Sequence, residues 1–236
     1  MAVARAPATT SDALFGGRVS LLQPARGRGY RVNVDAILLA AFAAGPRKTA
    51  RAAFDLGAGV GAVGLSLLHL GGASRVTMIE SDATLARLAS ANANANGWSD
   101  RITVLRGDVE DASLAPDGAA DLVVCNPPYV PPGRGRPPAP SRARAKSGPL
   151  DVFLDAARRI AGRRARICVV YPAIELTTLL TELRARGLEP KRLRLVHGKE
   201  GAPARVALVE SVAGKRGGLA VEAPLVETAA RGPARA

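Results

Sequence analysis

From residue 51 onward, short apolar segments alternate with helix-like segments, and this alternation constrains the fold more than any other feature of the sequence. Buried strands are predicted at 52–54, 75–80, 102–105, 121–125, 165–171, 190–197 and 204–212. Helices are predicted at 60–70, 82–96, 150–161 and 174–186, the second of them capped by Ser81. Strands separated by single helices form a parallel sheet that helices cover on both faces. We therefore predict an α/β, doubly wound, mostly parallel sheet for a core at 51–212.

The first 50 residues lie outside this alternation and predict a small extension of the core. Residues 1–12 are small, polar and unpatterned, so we expect a frayed terminus. β-like pieces at 18–22 and 30–32 flank a turn-rich segment, which predicts a hairpin. A helix with an acidic start is predicted over 35–42. The region 1–50 is therefore expected to hold a tail, a hairpin and a helix.

The charge balance favours a polyanionic partner. The chain has 33 Lys and Arg residues against 20 Asp and Glu, a formal net charge of +13. A basic surface attracts phosphates, so nucleic acid is the preferred interpretation, with a general bias towards arginine as the alternative. The segment 213–236 has the same character and predicts a basic, partly disordered C-terminal tail.

The sequence lacks the patterns typical of membrane, secreted and metal-binding proteins. No apolar run approaches the roughly 18 residues that a membrane helix needs, and the first residues lack a secretory signal. Two cysteines and two widely separated histidines show no metal-ligand spacing. We therefore expect a cytoplasmic protein with no membrane contact and no metal. The sequence leaves the oligomeric state open, and a monomer is our working hypothesis.

A glycine-rich loop follows the first predicted strand and opens the first helix. The loop runs from Asp55 to Gly61 and contains Gly57 and Gly59. Glycines let the backbone turn sharply and approach a ligand where a Cβ atom would clash. With Gly64, the same segment also fits a dinucleotide-binding fingerprint, so the loop alone leaves the ligand open.

Carboxylates at the ends of three successive strands narrow the choice of ligand. Asp55, directly before the loop, would repel a pyrophosphate but attract an ammonium or sulfonium group. Glu80 ends the second strand, where an acid can accept hydrogen bonds from ribose hydroxyls. Asp108 follows the third strand and could accept from an adenine amine. Each acid alone could be a helix cap or a solvated strand end, but together they predict S-adenosylmethionine as cofactor.

The tetrapeptide Asn126-Pro127-Pro128-Tyr129 ends the fourth strand, at the edge of the sheet where we expect the glycine loop. The Asn126 side-chain carbonyl and the Pro127 backbone carbonyl could accept hydrogen bonds from a planar amine and make its lone pair available. Prolines hold the backbone, and the Tyr129 ring offers a face on which a base can stack. The tetrapeptide predicts N-methylation of a planar amine or amide; a rigid turn with Tyr129 as a packing residue is the alternative.

A basic, proline-rich segment follows the tetrapeptide. Between Val130 and Leu150 there are five basic residues, no acid, and prolines that prevent a regular helix. Such segments often become ordered on RNA, although a solvated loop is the alternative. The predicted RNA contacts are Arg134, Arg136, Arg142, Arg144 and Lys146, with Arg26, Arg28 and Arg31 as secondary candidates.

With these residues in place, the chain resembles the class I S-adenosylmethionine methyltransferases and, more narrowly, the bacterial tRNA1(Val) adenine-N6 methyltransferases that act beside the anticodon. The narrower resemblance rests on the glycine loop, the tetrapeptide and the segments Gly16–Val19, Gln23–Pro24, Gly29–Arg31, Asp35–Ala40, Arg194–His197 and Arg205–Glu210. It implies a Rossmann-like seven-stranded sheet, with the 1–50 region packing over the cofactor site. The implied cofactor-binding residues are Asp35, Asp55, Gly57, Gly59, Gly61, Glu80 and Asp108, and the implied target-amine residues are Asn126, Pro127, Pro128 and Tyr129.

The resemblance implies methyl transfer to the N6 amine of an adenine in tRNA, of the adenine-37 type. A release-factor glutamine methyltransferase is the main alternative, but only about 50 residues precede the first strand, too few for the hairpin and a helical partner-binding module. A ribosomal-RNA guanine-N2 methyltransferase and a non-catalytic RNA-binding protein are further alternatives. The sequence departs from the family pattern at one place that bears on the substrate. The segment Ala143–Ser147 lacks the acid that many relatives carry after this loop.

Overall fold

The computed structural model of the chain describes residues 9–25, 32–45, 48–129, 149–214 and 216–227. These residues form two compact units, Met1–Ala115 and Pro116–Ala236, which are described separately. Among the described residues, no helix combines the length and the apolar character needed to cross a membrane.

The first unit begins with a hairpin that differs from the predicted one. Strands β1 (Thr9–Leu14) and β2 (Val19–Pro24) pair antiparallel, with Leu14 opposite Val19. The chain reverses through residues 15–17, whose φ angles are 53°, 65° and 92°. Two of these residues are glycines, which adopt this left-handed backbone at little cost. The frayed terminus predicted for 1–12 is therefore wrong for its last four residues, and β2 pairs with β1; residues 30 and 31 of the predicted hairpin lie outside the described residues.

A parallel sheet follows the hairpin in the first unit. Strands β3 (Ala50–Leu56), β4 (Ala73–Glu80) and β5 (Ile102–Arg106) pair in parallel. Leu56 thereby lies opposite Ile79, and Glu80 opposite Arg106. The predicted helix cap Ser81 is wrong, since the Asp82 carboxylate accepts the hydrogen bonds from the first turn of α3. The elements are α1 (Val34–Ala44), β3 (Ala50–Leu56), α2 (Ala62–His69), β4 (Ala73–Glu80), α3 (Ala83–Ala95), β5 (Ile102–Arg106) and a 3-10 turn (Ala112–Leu114).

Two asparagines bind the hairpin to this sheet unit: Asn92, in the last turn of α3, and Asn96, which caps the end of that helix. Asn92 pairs with the backbone of Leu22, accepting from its N–H at 2.6 Å and donating to its carbonyl at 2.9 Å. Asn96 makes the same pair of contacts with Ser20, both at 2.8 Å. Backbone groups at the edge of a strand need partners, and here side-chain amides take the place of another strand. The hairpin is thereby attached to α3 along β2.

The described residues of the second unit form four longer strands and two strands of two residues each. Strands β6 and β7 pair in parallel, whereas β9 lies antiparallel to both β7 and β8. With the parallel strands of the first unit, this arrangement confirms the predicted α/β, mostly parallel fold class. The elements are β6 (Ala120–Cys125), α4 (Pro149–Ile160), β7 (Ala161–Pro172), a 3-10 turn (Ala173–Glu175), α5 (Leu176–Ala185), β8 (Leu188–His197), β9 (Ala204–Ala213), β10 (Ala220–Val221) and β11 (Leu225–Val226).

Part of the segment predicted as a C-terminal tail belongs to the second unit. Strands β10 and β11 both pair with β8 in parallel. Between them, the Glu222 carboxylate contacts Arg192 at 2.8 Å and Arg194 at 2.7 Å. Glu222 also donates its backbone N–H to the Leu193 carbonyl at 2.8 Å. The described part of this segment is therefore ordered by backbone pairing and by the Glu222 carboxylate, which pairs with two arginines of β8.

Candidate functional site

The glycine loop connects β3 to α2 and is tied to the end of β4. Gly57, Gly59 and Gly61 have φ angles of 68°, 57° and 88°, a backbone conformation that favours glycine. Gly57 donates its N–H to the Ile79 carbonyl at 2.9 Å, and Gly59 donates to the Glu80 carboxylate at 2.8 Å. The loop thus has a defined conformation at the carboxyl ends of β3 and β4, where ligands of open α/β sheets bind.

Gly64 allows the first turn of α2 to approach both β4 and the acid at the end of β3. A Cβ atom on Gly64 would lie 2.4 Å from the Met78 methyl group and 3.0 Å from Val76, so a larger residue would push the helix away. The Gly64 N–H donates to the Asp55 carboxylate at 3.0 Å. The third glycine of the fingerprint therefore serves helix packing and holds the acid in place.

Asp55 is a buried acid whose protonation responds to its surroundings. Asp55 is only 1% exposed to solvent. Burial raises the pKa of Asp55 from 3.8 to about 7, the negative charge of Glu80 adds to the rise, and the hydrogen bond from Gly64 opposes it. A cation beside this carboxyl would favour its ionised form. An ammonium or sulfonium group fits this requirement, whereas a phosphate does not.

Glu80 has a structural role that the sequence did not predict. Its two carboxylate oxygens accept backbone N–H groups of Gly59 and Asp82, each at 2.8 Å. Glu80 is buried, so these two bonds compensate the loss of water around its charge. Each carboxylate oxygen can accept a further bond, and hydrogen bonding to ribose hydroxyls stays a prediction. The same side chain therefore shapes the glycine loop.

Asp108 lies in the turn that follows β5. It is exposed, and its carboxylate accepts the Glu110 N–H at 3.1 Å. Glu80 pairs in register with Arg106, two residues before Asp108, so the three predicted acids end neighbouring strands of one sheet. The negative charge of Glu80 contributes to the raised pKa of Asp55. The proposed contact of Asp108 with an adenine amine stays a prediction.

Asp35 lies at the start of α1, which packs against α2. Asp35 is buried, and its carboxylate accepts from the Asn33 side-chain amide at 2.9 Å. Asn33 in turn caps the helix by accepting the Asp35 N–H at 3.1 Å. Gln23, at the end of the hairpin, accepts the Val32 N–H at 3.0 Å. The hairpin therefore positions the chain that leads into α1, a connection that the sequence analysis missed.

Asn92 was also missed, although it connects the hairpin to the glycine loop. It is fully buried, and its amide group donates to the Val60 carbonyl at 2.9 Å as well as to Leu22. A polar side chain inside an alanine-rich helix, with a second asparagine four residues later, was the available signal. The partners of Asn92 could not be read from that spacing.

In the second unit, the tetrapeptide follows β6 directly, as predicted. Pro127 is buried, Pro128 is exposed, and Asn126 and Tyr129 are half-buried. The buried Pro127 anchors the backbone, while the side chains on either side keep access to solvent. A carbonyl group and an aromatic ring are therefore both accessible at the carboxyl end of this strand.

Tyr129 is held by side chains at the end of β7 and in the segment that follows it. Its hydroxyl donates to the Glu175 carboxylate at 3.2 Å, and Thr178 donates to the other oxygen of Glu175 at 2.9 Å. The Tyr171 ring meets the Tyr129 ring edge-on, with centroids 5.7 Å apart and an interplanar angle of 79°. Partial removal from water raises the pKa of the Tyr129 phenol, and Glu175 raises it further. Glu175 and Tyr171 are functional candidates that the sequence analysis did not find.

The predicted RNA-binding residues Arg134, Arg136, Arg142, Arg144 and Lys146 lie outside the described residues, as do the secondary candidates Arg26, Arg28 and Arg31. Their roles stay predictions.

Comparison with known proteins places these features in a family context. Residues 34–136 match the family described as Methyltransferase small domain. The chain is 36% identical over 146 residues to a tRNA1(Val) (adenine(37)-N6)-methyltransferase of Aeromonas hydrophila, which covers 60% of this chain and 59% of that protein. It is 31% identical over 191 residues to the enzyme of the same description from Porphyromonas gingivalis strain W83, covering 71% of this chain and 74% of that protein.

Among solved structures, the chain is similar to a protein of Agrobacterium tumefaciens described as a predicted O-methyltransferase. The TM-score is 0.65 at 25% sequence identity, and the match covers 81% of this chain and 86% of the other. The similarity extends well beyond residues 34–136 and agrees with the α/β fold of the two units.

Proposed function

We propose that the chain, which belongs to the tRNA1(Val) (adenine(37)-N6)-methyltransferase family, uses S-adenosylmethionine to methylate the exocyclic N6 amine of an adenine in tRNA. The observation that carries the proposal is the tetrapeptide Asn126-Pro127-Pro128-Tyr129 at the end of β6, with its amide and ring accessible. The chain covers 59% of the length of one named relative and 74% of the other. The chemistry of the tetrapeptide and the family together support an adenine in tRNA as the substrate.

The residues of the first unit fit the methyl donor. Asp55 would face a cationic part of the cofactor. Burial raises the pKa of this carboxyl, so a positive charge beside it would stabilise its ionised form. Glu80 and Asp108 would accept hydrogen bonds from the ribose and the adenine, and the glycine loop would lie against the ligand. S-adenosylmethionine supplies an electrophilic methyl group on a sulfonium. The protein's contribution is then to hold and align it.

The residues of the second unit fit the acceptor. An exocyclic amine on a purine is a weak nucleophile because its lone pair is delocalised into the ring. The side-chain carbonyl of Asn126 and the backbone carbonyl of Pro127 would accept its two hydrogens and draw the lone pair out of conjugation. Tyr129 would stack on the base and fix its plane. The methylated amine is acidic enough to lose its extra proton to water, so no dedicated base is required.

The charge of the chain supports RNA as the partner. The net charge is +13, and the segment that follows Tyr129 holds five basic residues and no acid. Guanidinium groups pair readily with phosphates, and an RNA substrate presents phosphates around the target base. A tRNA substrate also implies a cytoplasmic enzyme.

A single labelling experiment tests the proposal. The protein is incubated with labelled S-adenosylmethionine and, separately, with unmodified tRNA, ribosomal RNA or a release factor, and the products are digested to identify the modified unit. Label on N6 of adenine in tRNA is the expected result. Label on guanine or on a glutamine amide would overturn the proposed substrate, and no label on any acceptor would overturn the proposed activity.

A further inference from the structure

We propose that Glu175 is a positioning residue for Tyr129, holding the ring ready to stack on the acceptor base before the substrate arrives. The inference rests on the proposed function, since it concerns the ring that would receive the base. Glu175 would not touch the base itself. It would act through the Tyr129 hydroxyl, which gives that hydroxyl a role that a phenylalanine at the same position could not fill.

The contacts around Glu175 form a short chain that ends at Tyr129. One carboxylate oxygen accepts from the Tyr129 hydroxyl at 3.2 Å, and the other accepts from the Thr178 hydroxyl at 2.9 Å. Two donors on separate oxygens restrict rotation of the carboxylate. The carboxylate therefore gives the tyrosine hydroxyl a defined acceptor rather than a mobile one.

A second contact restricts the other degree of freedom of the ring. A hydrogen bond at the hydroxyl restrains the position of the ring but still permits it to rotate about its long axis. Tyr171 limits that rotation, because its ring packs edge-on against Tyr129 at 79° and 5.7 Å. Tyr171 is itself only 8% exposed at the end of β7, so it offers a fixed surface. Together the two contacts restrict both the position of the Tyr129 ring and its rotation.

Glu175 itself is placed by regular structure. It ends the 3-10 turn that links β7 to α5 and directly precedes the helix. Helix α5 is anchored by Leu179 and Leu183, which are fully buried. The acid is thus carried on a rigid connection, as a positioning group should be.

The central test is a double-mutant cycle on methyl transfer. Glu175→Ala should lower kcat/KM for the acceptor about tenfold, as expected for loss of a hydrogen bond to a charged group, while the Kd for S-adenosylmethionine stays unchanged. Tyr129→Phe should cause a similar loss, because it removes the other partner of the same bond. If Glu175 acts through the hydroxyl, the double variant should be no worse than either single variant. Losses that multiply would overturn the proposal, as would full activity in Glu175→Ala.

Two further variants separate positioning from charge and from helix stability. Glu175→Gln keeps an oxygen acceptor for Tyr129 and should restore most of the activity lost in Glu175→Ala. Glu182→Ala removes an acid from α5, the helix that follows Glu175, where the Glu182 carboxylate pairs with Arg186 at 2.6 Å. It changes the net charge equally and should leave kcat/KM within about twofold of the wild type. A loss in Glu182→Ala that matched the loss in Glu175→Ala would contradict a positioning role.

A measurement without turnover distinguishes failure of this inference from failure of the proposed function. Tyrosines labelled with 13C at the ring carbon that bears the hydroxyl report each phenol pKa by NMR. Removal from water raises the pKa of both phenols most, and the carboxylate of Glu175 raises each of them further; at Tyr171 the charges of Tyr129 and Asp151 add smaller rises. Glu175→Gln should therefore lower the phenol pKa of Tyr129, and an unchanged value would overturn the contact. If no acceptor is methylated, the proposed function fails while this titration still decides whether Glu175 holds Tyr129.

Discussion

The Asp55 carboxylate accepts a hydrogen bond from the Gly64 N–H at 3.0 Å, yet its pKa is raised to about 7. A single backbone donor does not compensate for complete burial beside the charge of Glu80. The ionised form of Asp55 is therefore poorly stabilised in the free protein, and a cation beside the carboxylate would stabilise it. If Asp55 faces the cofactor as proposed, its protonation should change when the cofactor binds.

Asp55→Asn should stabilise the free protein at neutral and alkaline pH while abolishing cofactor affinity. The folded-state pKa of Asp55, about 7, exceeds the ordinary value of 3.8, so its contribution to stability is present below about pH 4 and lost as the pH rises through 7. The variant lacks this loss and should melt higher at pH 8, by roughly 2–4 °C for each kcal/mol of stability that the ionised Asp55 costs. Thermal unfolding at pH 5 and pH 8 tests the difference. Asp117→Asn, whose side chain is 81% exposed, is the control and should show no such pH-dependent gain.

Binding of S-adenosylmethionine should release protons near neutral pH. A cation beside Asp55 favours its ionised form, so the proton held by the free protein leaves on binding. Affinity should consequently fall as the pH drops below about 7. Calorimetry in two buffers with different ionisation enthalpies measures the released protons directly. Binding with no proton release between pH 6 and pH 7 would contradict the proposed pairing of Asp55 with the cofactor.

Asn92→Ala should loosen the hairpin and the glycine loop together. The side chain is fully buried and bonds to Leu22 and Val60, so its removal leaves backbone groups without partners at a cost of about 3 kcal/mol. Hydrogen exchange should accelerate in both β2 and the loop, and cofactor affinity should fall. Asn94→Ala, an exposed change on the same helix, is the matched control. Faster exchange in the hairpin alone would show that Asn92 does not couple the two.

Asn126→Ala should abolish methyl transfer while leaving cofactor binding intact. The change removes one of the two carbonyl groups proposed to receive the acceptor amine, and losses of about 100-fold or more accompany the removal of such groups. Single-turnover rates and the Kd for S-adenosylmethionine are the measurements. Appreciable residual turnover would count against the assigned role, and so would a parallel loss of cofactor affinity.

Neutralising the basic segment after the tetrapeptide should weaken binding of tRNA but not of the cofactor. The combined variant Arg134→Gln, Arg136→Gln, Arg142→Gln, Arg144→Gln should also reduce the slope of log affinity against log salt by up to about 3. Arg51→Gln with Arg75→Gln, at the amino ends of β3 and β4, is the control and should change neither quantity strongly. An unchanged salt slope in the four-residue variant would remove this segment from the RNA interface.

Much of the fold follows from local patterns, and the exceptions have a physical cause. The strands and helices of the core were predicted within a few residues because each apolar run carries its own periodicity. The hairpin was misplaced because two glycine-containing segments, 16–17 and 27–29, could each form its turn. The choice is made by Asn92 and Asn96, which bond to β2 across 70 and 76 residues of sequence. No local pattern contains that information.

The sequence by itself determined the chemistry available at the strand ends, because Asp55, Glu80 and the Asn126–Tyr129 tetrapeptide each follow an apolar run directly. Only the tertiary structure decided how those groups behave. Glu80 shapes the loop through Gly59, and Glu175 meets Tyr129 across 46 residues of sequence. The pKa of Asp55 depends on the exclusion of water and on a charge from the next strand. Hydrogen bonds and electric fields act through space, so residues distant in sequence set the properties of those that sequence identifies.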